Sequence, residues 1–448
     1  MQEVLVLPKP HSRKQKLVMQ SMFCENLREI WVASGSKFGK SLAGASCLLS
    51  RAFITDNGLF RWVAPIYSQA KIGFKYAKTI LPPHLIDINN GNLTLKINEK
   101  NTSIEFRSGK YPEDLEGEAC HGYCLDECAK MTEQVYDSAK TTTTITRGIM
   151  VAFSTPRGKN WFYNKCMSAK EEMEWSLANN IQPSKIFLTA PSSANPYVTK
   201  EAIEEARRNT PERLFRQYYL AEFIDQGAVF VGYRDCINEP DKYIDTQNYW
   251  LEKDIDKCDI VIGVDWAKHT DYTVFVAIDY KHKPVKVIGY MRFHGISYMQ
   301  AVKELYLFAK KFKSVSTVWH DKTGVGEALD DMLCNIDLPF HGVTFSNSSK
   351  SSLINTLGLT FEKKDIIIPN LSEMLRELDV YEVDVSETGM MRYNAPPGFH
   401  DDIVISLALA NAASREFAGL DFETRFLDDL KEKDLSIDKF YTDLLEDN

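Results

Sequence analysis

The stretch from Ile30 to Ser41, IWVASGSKFGKS, constrains the fold more than any other. Four strand formers, Ile30, Trp31, Val32 and Ala33, run into a loop ending Gly39-Lys40-Ser41, and the small residues from Leu42 to Leu49 predict a helix. Strand, loop and helix in that order make a phosphate cradle, because backbone N–H groups gather at the helix start. The loop residues Ser34, Gly35, Ser36, Lys37, Phe38 and Gly39 would wrap the phosphates of ATP. Lys40 would add positive charge and Ser41 would hold Mg²⁺. The first glycine of GxxxxGK[ST] is replaced by Ser34, with Gly35 one place later. A bare GK[ST] recurs by chance, so the assignment leans on its neighbours in the sequence.

Those neighbours fit a doubly wound α/β sheet over residues 1–225. Leu59–Pro65 reads as a strand, Tyr67–Leu81 as a helix and Thr94–Arg107 as a hairpin. Gly122–Glu127, GYCLDE, runs apolar into Asp126-Glu127. An acid pair at a strand end is usually a solvated terminus. Beside a P-loop, however, Asp126 can hold Mg²⁺ and Glu127 can polarise the attacking water. Ile149–Pro156, IMVAFSTP, is a buried-type strand that places Ser154 and Thr155 at its C-terminal end, where ligands bind in open sheets and a hydroxyl can sense a γ-phosphate. Gln15 is a candidate adenine contact or part of a solvated face. Glu201–Glu222 reads as helical.

Residues 226–255 mix Gly, Pro, Asp and Asn without sustained periodicity and read as a linker, with local structure around Tyr243–Leu251. Beyond them the pattern changes. Asp259–Trp266, Asp271–Tyr280 and Val285–Phe293 are strands joined by short turns, followed by a helix over Tyr298–Phe312, a strand Ser316–Asp321 and a helix opening at Gly324. Near the end, PPGFHDDIVISLALA starts an apolar helix at Asp401-Asp402. Three meandering strands and then βα units, with acids on the first strand (Asp265), at the end of the fourth (Asp321) and at a late helix start (Asp402), describe an RNase H-like layout over 256–415. Converging carboxylates repel unless cations bind, and an all-oxygen site suits Mg²⁺ or Mn²⁺. Two such ions about 4 Å apart can activate water and stabilise the leaving oxygen in phosphodiester cleavage. An unpaired Asp265 within a buried strand is costly without such a role. Asp321, Asp401 and Asp402 also read as helix N-caps, Asp271 as a turn residue, and His400 as a proton shuttle or a surface histidine.

The net charge is −9, and eleven acidic against four basic residues in 416–448 supply −7 of it. The body is therefore near neutral, and any nucleic-acid contact must come from local patches. The acidic tail is a candidate docking or regulatory segment, or simply a solvated one. No run of about eighteen apolar residues predicts a membrane span. Nine scattered cysteines without framework spacing suit a reducing, cytoplasmic setting.

Four blocks, SGSKFGKS, DLEGEACHGYCLDECAK, AFSTPRGKNWFY and the trio GVDWAKHTD, WHDKTGVGEAL and GFHDDIVISLALA, resemble the large subunits of tailed-bacteriophage terminases over roughly residues 10–415. The resemblance implies a DNA-packaging ATPase and metal-dependent endonuclease. In such a protein ATP hydrolysis drives double-stranded DNA into a procapsid, and a two-metal nuclease cuts concatemeric DNA. It implies a portal protein and a terminase small subunit as partners, a homo-oligomeric ring on the portal, and action in the host cytoplasm. By the same resemblance Lys40 and Ser41 take Walker A roles, Asp126 and Glu127 take Walker B, and Ser154-Thr155 couple hydrolysis to motion. Asp265, Asp321 and Asp402 form the nuclease triad, Asp271 and Asp401 are accessory acids, and Lys350 is a DNA phosphate contact. The family's arginine upstream of Walker B is replaced by Glu116, leaving Arg107, Arg147 or a neighbouring subunit's arginine as finger candidates. A P-loop helicase or repair nuclease, and a nucleotide-gated DNA-binding adaptor that cuts nothing, are the alternatives.

Overall fold

The structure, a computed structural model, describes residues 5–432 apart from 225–226, 241–242, 247, 253–254, 268–270, 324–326 and 389. The chain divides into two compact units, one of Met1–Gln226 with Asp384–Arg392, the other of Gly227–Val383 with Tyr393–Asn448.

The first unit is built on a sheet of β1 (Glu29–Ser34), β2 (Leu59–Ala64), β3 (Ile86–Asn89), β4 (Thr94–Ile97), β5 (Thr102–Ser108), β6 (Gly122–Asp126), β7 (Ile149–Ser154) and β8 (Lys185–Ala190), in the order β3-β4-β5-β2-β6-β7-β1-β8. The β3–β4 and β4–β5 pairs are antiparallel and the others parallel. Every residue of β1 is buried because both sheet faces are covered. Ile30 and Val32 enter one core with Val18 of α1 (Arg13–Ser21), Leu48 of α2 (Lys40–Ile54) and Phe74 of α3 (Tyr67–Ile80). Trp31 and Ala33 enter the other with Val135 of α4 (Glu133–Thr142) and Phe162 of α5 (Trp161–Ala178). The period-2 alternation of a strand thus feeds two cores from one hydrophobic run. The helical reading of 201–222 resolves into α6 (Lys200–Asn209) and α7 (Glu212–Tyr218), because Pro211 interrupts the ladder between them.

In the second unit β9 (Gly227–Ala228) pairs with a later strand, and β10 (Tyr243–Thr246) and β11 (Tyr249–Glu252) form a hairpin on the edge of the main sheet. Part of the stretch read as linker is therefore sheet. Trp250 and Leu251 supply the buried anchor, through pairing with β14 (Val285–His294). The sheet runs β10-β11-β14-β13-β12-β15-β16, with β12 (Asp259–Asp265), β13 (Tyr272–Asp279), β15 (Ser314–Asp321) and β16 (Phe340–Val343). As the RNase H-like layout requires, β12 and β13 are antiparallel while β12 and β15 lie side by side in parallel. One face packs on α8 (Tyr298–Ala309) and α9 (Glu327–Leu333) through Ala301, Leu305, Phe308 and Leu329. The remaining elements are α10 (Asn347–Glu362), β17 (Ile366–Ile367), α11 (Ser372–Val380), β18 (Glu382–Val385), β19 (Met391–Asn394) and α12 (Asp402–Glu432). The helix α12 extends through the first half of the segment read as an acidic tail, and residues 433–448 lie outside the described residues.

Gly263 decides how closely α12 approaches β12. A Cβ there would lie 2.0 Å from the Ser406 carbonyl oxygen and 2.5 Å from the Ala410 nitrogen, both backbone atoms that cannot swing away. Gly358, in α10, has nothing nearer than 4.0 Å. Gly263→Ala should therefore cost about 1–3 kcal/mol by overpacking, while Gly358→Ala should be neutral or stabilise by about 0.4–1 kcal/mol. Chemical denaturation of the two variants checks this contrast.

Candidate functional site

In the first unit the C-terminal end of β1 feeds the loop Gly35–Gly39, and α2 begins at Lys40. The loop is set by two left-handed residues, Lys37 (φ 63°) and Gly39 (φ 96°). The displaced glycine has a steric reason. A Cβ on Gly35 would meet Ser192 Oγ at 2.5 Å and the Tyr219 carbonyl oxygen at 2.7 Å. The amides of Gly35 and Ser36 donate to the carbonyls of Ala190 and Tyr218, so they are spent within the protein rather than on a ligand. Of the loop residues expected around a nucleotide, Ser36 to Ser41 line a cleft of about 630 Å³, and Ser34 and Gly35 do not.

At the cleft floor Lys40 Nζ donates to Thr155 Oγ1 at 2.7 Å and lies 2.6 Å from Glu127 Oε1. Ser41 Oγ donates to Asp126 Oδ2 at 3.0 Å. Asp126, at the end of β6, is pushed up to about 6 by burial and then by the neighbouring Glu127. Its other oxygen, Oδ1, is buried without a hydrogen-bond partner. An orphaned carboxylate oxygen beside a serine hydroxyl fits a divalent cation bound by hard oxygen donors. Burial works against the charge on Glu127, but Lys40 and Lys130 outweigh it and hold this carboxylate below its usual range. Ser154 lies under this floor. Its Oγ accepts from the Ala129 amide and donates to the Thr155 carbonyl, which ties β7 to the turn after Glu127.

Gln15, a candidate adenine contact, does not line the cleft and is not on a solvated face. It is fully buried, its Nε2 donates to the Gly39 carbonyl at 3.1 Å and its Oε1 accepts from the His11 amide, so it braces the loop. Neither arginine candidate lines the cleft. Arg107 is the penultimate residue of β5 and pairs with Glu105. Arg147 precedes β7 at the opposite ends of the strands, because β7 starts beside the start of β1. Arg157 does line the cleft, three residues past Ser154 in STPR, and the sequence reading passed over it.

In the second unit β12 ends at Asp265, its neighbour β15 ends at Asp321, and α12 starts at Asp402, so three chain segments deliver acids to one place. Asp265 is raised well above the ordinary carboxylate range by burial and then by repulsion from Asp402, Asp321 and Asp401. Asp402 is pushed up to about 6, chiefly by burial, with repulsion from Asp271 and Asp401 contributing, and burial also raises Asp321. His400 Nδ1 lies 3.5 Å from Asp271 Oδ1 and 3.7 Å from Asp402 Oδ2, and one ligand atom from each of these three residues falls within 4.8 Å of the others. This is a donor set able to hold a divalent ion. Lys350, expected on DNA, donates to Asp401 Oδ2 at 3.0 Å and Asn394 Oδ1 at 3.3 Å, which places a cation within the acid cluster.

Glu377 of α11 is a supporting residue that the sequence reading missed. Its Oε2 accepts from the Ile403 amide at 2.8 Å, capping α12 beside Asp402, and Arg292 lies 3.3 Å from its Oε1. Burial, only partly offset by Arg292, pushes it up to about 7. The available signal was an acid on the apolar stripe Met374–Leu378 of α11.

Residues 33–233 match the family described as "Terminase large subunit, T4likevirus-type, N-terminal". The chain is 27% identical to the terminase large subunit of Thermus phage G20c over 87% of its own length and 85% of that protein's. It is likewise 27% identical to that of Thermus virus P23-45 over the same shares. The large terminase of another thermophilic bacteriophage, solved in complex with ATP-γ-S, shares the fold: the TM-score is 0.53 over 89% of this chain and 98% of that one, at 14% identity. The resemblance read from the four sequence blocks holds. No helix among the described residues is long and apolar enough to cross a membrane.

The raised carboxylates of the second unit carry a pH signature. Such groups favour the folded state below their unfolded value, near 4, and that contribution is lost as pH rises through about 6, where Asp402 titrates. In EDTA the thermal midpoint should therefore fall between pH 5 and 7.5. Mg²⁺ should flatten the decline, and Asp265→Asn should weaken it. Melting curves across that range, with and without the metal, test the sign.

Proposed function

We propose that the chain, as a protein of the terminase large-subunit type, is a packaging ATPase that drives double-stranded DNA into a procapsid and a metal-dependent endonuclease that cuts concatemeric DNA. One observation carries this reading: a single chain holds both the cleft over Lys40, Ser41, Asp126 and Glu127 and the carboxylate cluster of Asp265, Asp321, Asp401 and Asp402.

On this reading Lys40 leaves Glu127 to bind the nucleotide's phosphates, Ser41 and Asp126 hold Mg²⁺, and Glu127 accepts a hydrogen bond from the attacking water. Thr155, already bonded to Lys40, would feel whether a γ-phosphate is present, and Ser154 would pass that state to the turn after Glu127. In the second unit Asp265, Asp321 and Asp402 would hold Mg²⁺ or Mn²⁺, with Asp271, Asp401 and His400 at the rim. When bound, the divalent ions neutralise the transferring phosphoryl group at the first site and activate water and stabilise the leaving oxygen at the second. Lys350 would balance Asp401. Arg107 or Arg147, absent from their own chain's cleft, would act as fingers only on a neighbouring copy in a ring. The partners on this reading are double-stranded DNA, the portal protein and procapsid and the terminase small subunit, and the setting is the host cytoplasm.

The division of labour is testable on the purified chain. Lys40→Ala should lower ATP hydrolysis by about a hundredfold or more and leave Mg²⁺- or Mn²⁺-dependent cleavage of supercoiled plasmid in place. Asp265→Ala should abolish cleavage and spare hydrolysis. Phosphate release and gel electrophoresis read the two outcomes. A single substitution removing both activities from a folded protein would sink the assignment.

A further inference from the structure

Glu127 is held by two lysines, and only one of them can stay. Lys40 Nζ lies 2.6 Å from Oε1, and Lys130 Nζ lies 3.2 Å from Oε2, an ion pair in which Oε2 is buried without a hydrogen bond. Lys40 stands at the first residue of α2, where phosphates bind, so a nucleotide draws it away and Glu127 loses its shorter ion pair. Lys130 is not at the helix start, although it too lines the cleft. It ends the 3₁₀ turn Cys128–Lys130 that begins directly after Glu127, and its amide donates to the Glu127 carbonyl at 2.9 Å.

That turn is fixed from two sides. The Ala129 amide donates to Ser154 Oγ at 3.2 Å, and the Ala129 carbonyl accepts from Asn160 Nδ2 at 3.0 Å. Glu127 itself sits in the left-handed region (φ 53°, ψ 39°), a conformation that is costly for a side chain of this size and persists only where the surroundings impose it. A carboxylate that must line up a water needs one oxygen anchored and the other available in a fixed direction.

We infer that Lys130 is the positioning residue for Glu127 in the nucleotide-bound state. It anchors Oε2 while Oε1, released by Lys40, faces the phosphate side of the cleft and accepts the water's hydrogen bond. The inference rests on the ATPase reading of this cleft and adds to it a residue that acts through Glu127 rather than on the nucleotide. Lys130 also lines the cleft, so direct phosphate contact is the competing role, and kinetics separate the two.

The test is steady-state ATP hydrolysis by the full chain at varied ATP, with fluorescent-nucleotide affinity measured separately, for wild type, Lys130→Ala, Lys130→Arg and Glu127→Gln. Lys130→Ala should lower kcat by about a hundredfold with KM and nucleotide affinity within about twofold and an unchanged thermal midpoint. Lys130→Arg, which keeps the charge and the donors, should recover most of the rate. Lys130→Gln replaces the alanine variant if the latter does not fold, with the same expected kcat loss. An unchanged kcat, or a weakened affinity with kcat retained, overturns the positioning role and leaves the ATPase reading standing. A wild type that hydrolyses nothing, or a Glu127→Gln variant as fast as wild type, overturns the reading of the cleft itself, and this inference with it.

Discussion

Carboxylates drawn partly out of water are the constraint on which both units depend: Asp126 and Asp402 are buried, and Glu127, Asp265, Asp321 and Asp401 are half-buried. A buried anion is unstable unless a cation or several donors compensate it. The first unit brings its own cations: Lys40 and Lys130 flank Glu127, while Asp126 Oδ1 and Glu127 Oε2 are buried without hydrogen bonds. The second gathers Asp265, Asp321, Asp401 and Asp402, with Lys350 ion-paired to Asp401. The two sites therefore differ in what completes them. In the first, an arriving nucleotide rearranges charges that are already balanced. In the second, the imbalance itself is what favours divalent ions.

Holding such an imbalance demands a stiff scaffold, and the packing around α12 supplies one. Gly263 lets the helix lie against β12, with the Ser406 carbonyl closer than any side chain would allow. Ser406 Oγ donates to the Val274 carbonyl, fastening the helix to β13 as well. Glu377 takes up the Ile403 amide, one of the orphan donors of the first turn. Asp402 is thus held from below by its own helix start and from the side by the Tyr272 amide. A helix N-terminus also carries partial positive charge, which favours an acid there. This makes Asp402 less costly than Asp265, whose strand end offers no such field.

The residues that announced themselves in the sequence were those whose pattern is local. The run Ile30–Ala33 before Gly39-Lys40-Ser41, the apolar approach to Asp126 and the apolar strand carrying Asp265 each combine a buried strand with a group that a buried strand should not end on. Residues whose role is set by distant chain stayed hidden. Gln15 looks like any polar residue on a basic amphipathic helix until Gly39 is seen to receive its amide 24 positions on. Lys350 sits in a serine-rich helix start, and nothing nearby foretells its meeting with Asp401, 51 residues away. The hairpin at Tyr243–Glu252 was obscured because β10 is exposed at the sheet edge while β11 is anchored only through Trp250 and Leu251, so alternation is too short to register.

The shifted glycine shows how a motif can depart from its consensus and keep its geometry. In a P-loop the first glycine is usually explained by the backbone's approach to phosphate. Here the position with no room for a side chain is Gly35, and what crowds it is protein: Ser192 and the Tyr219 carbonyl. Ser192 Oγ in turn donates to the Ser36 carbonyl, and Asn195 Nδ2 donates to the Lys37 carbonyl at 2.6 Å. The loop from Gly35 to Lys37 is therefore shaped by the segment after β8, while its residues from Ser36 to Ser41 line the cleft. Ser34, fully buried at the strand end, does not line it. A serine where the consensus has glycine is tolerated because the requirement for a bare backbone has moved one residue along, to the point of closest packing.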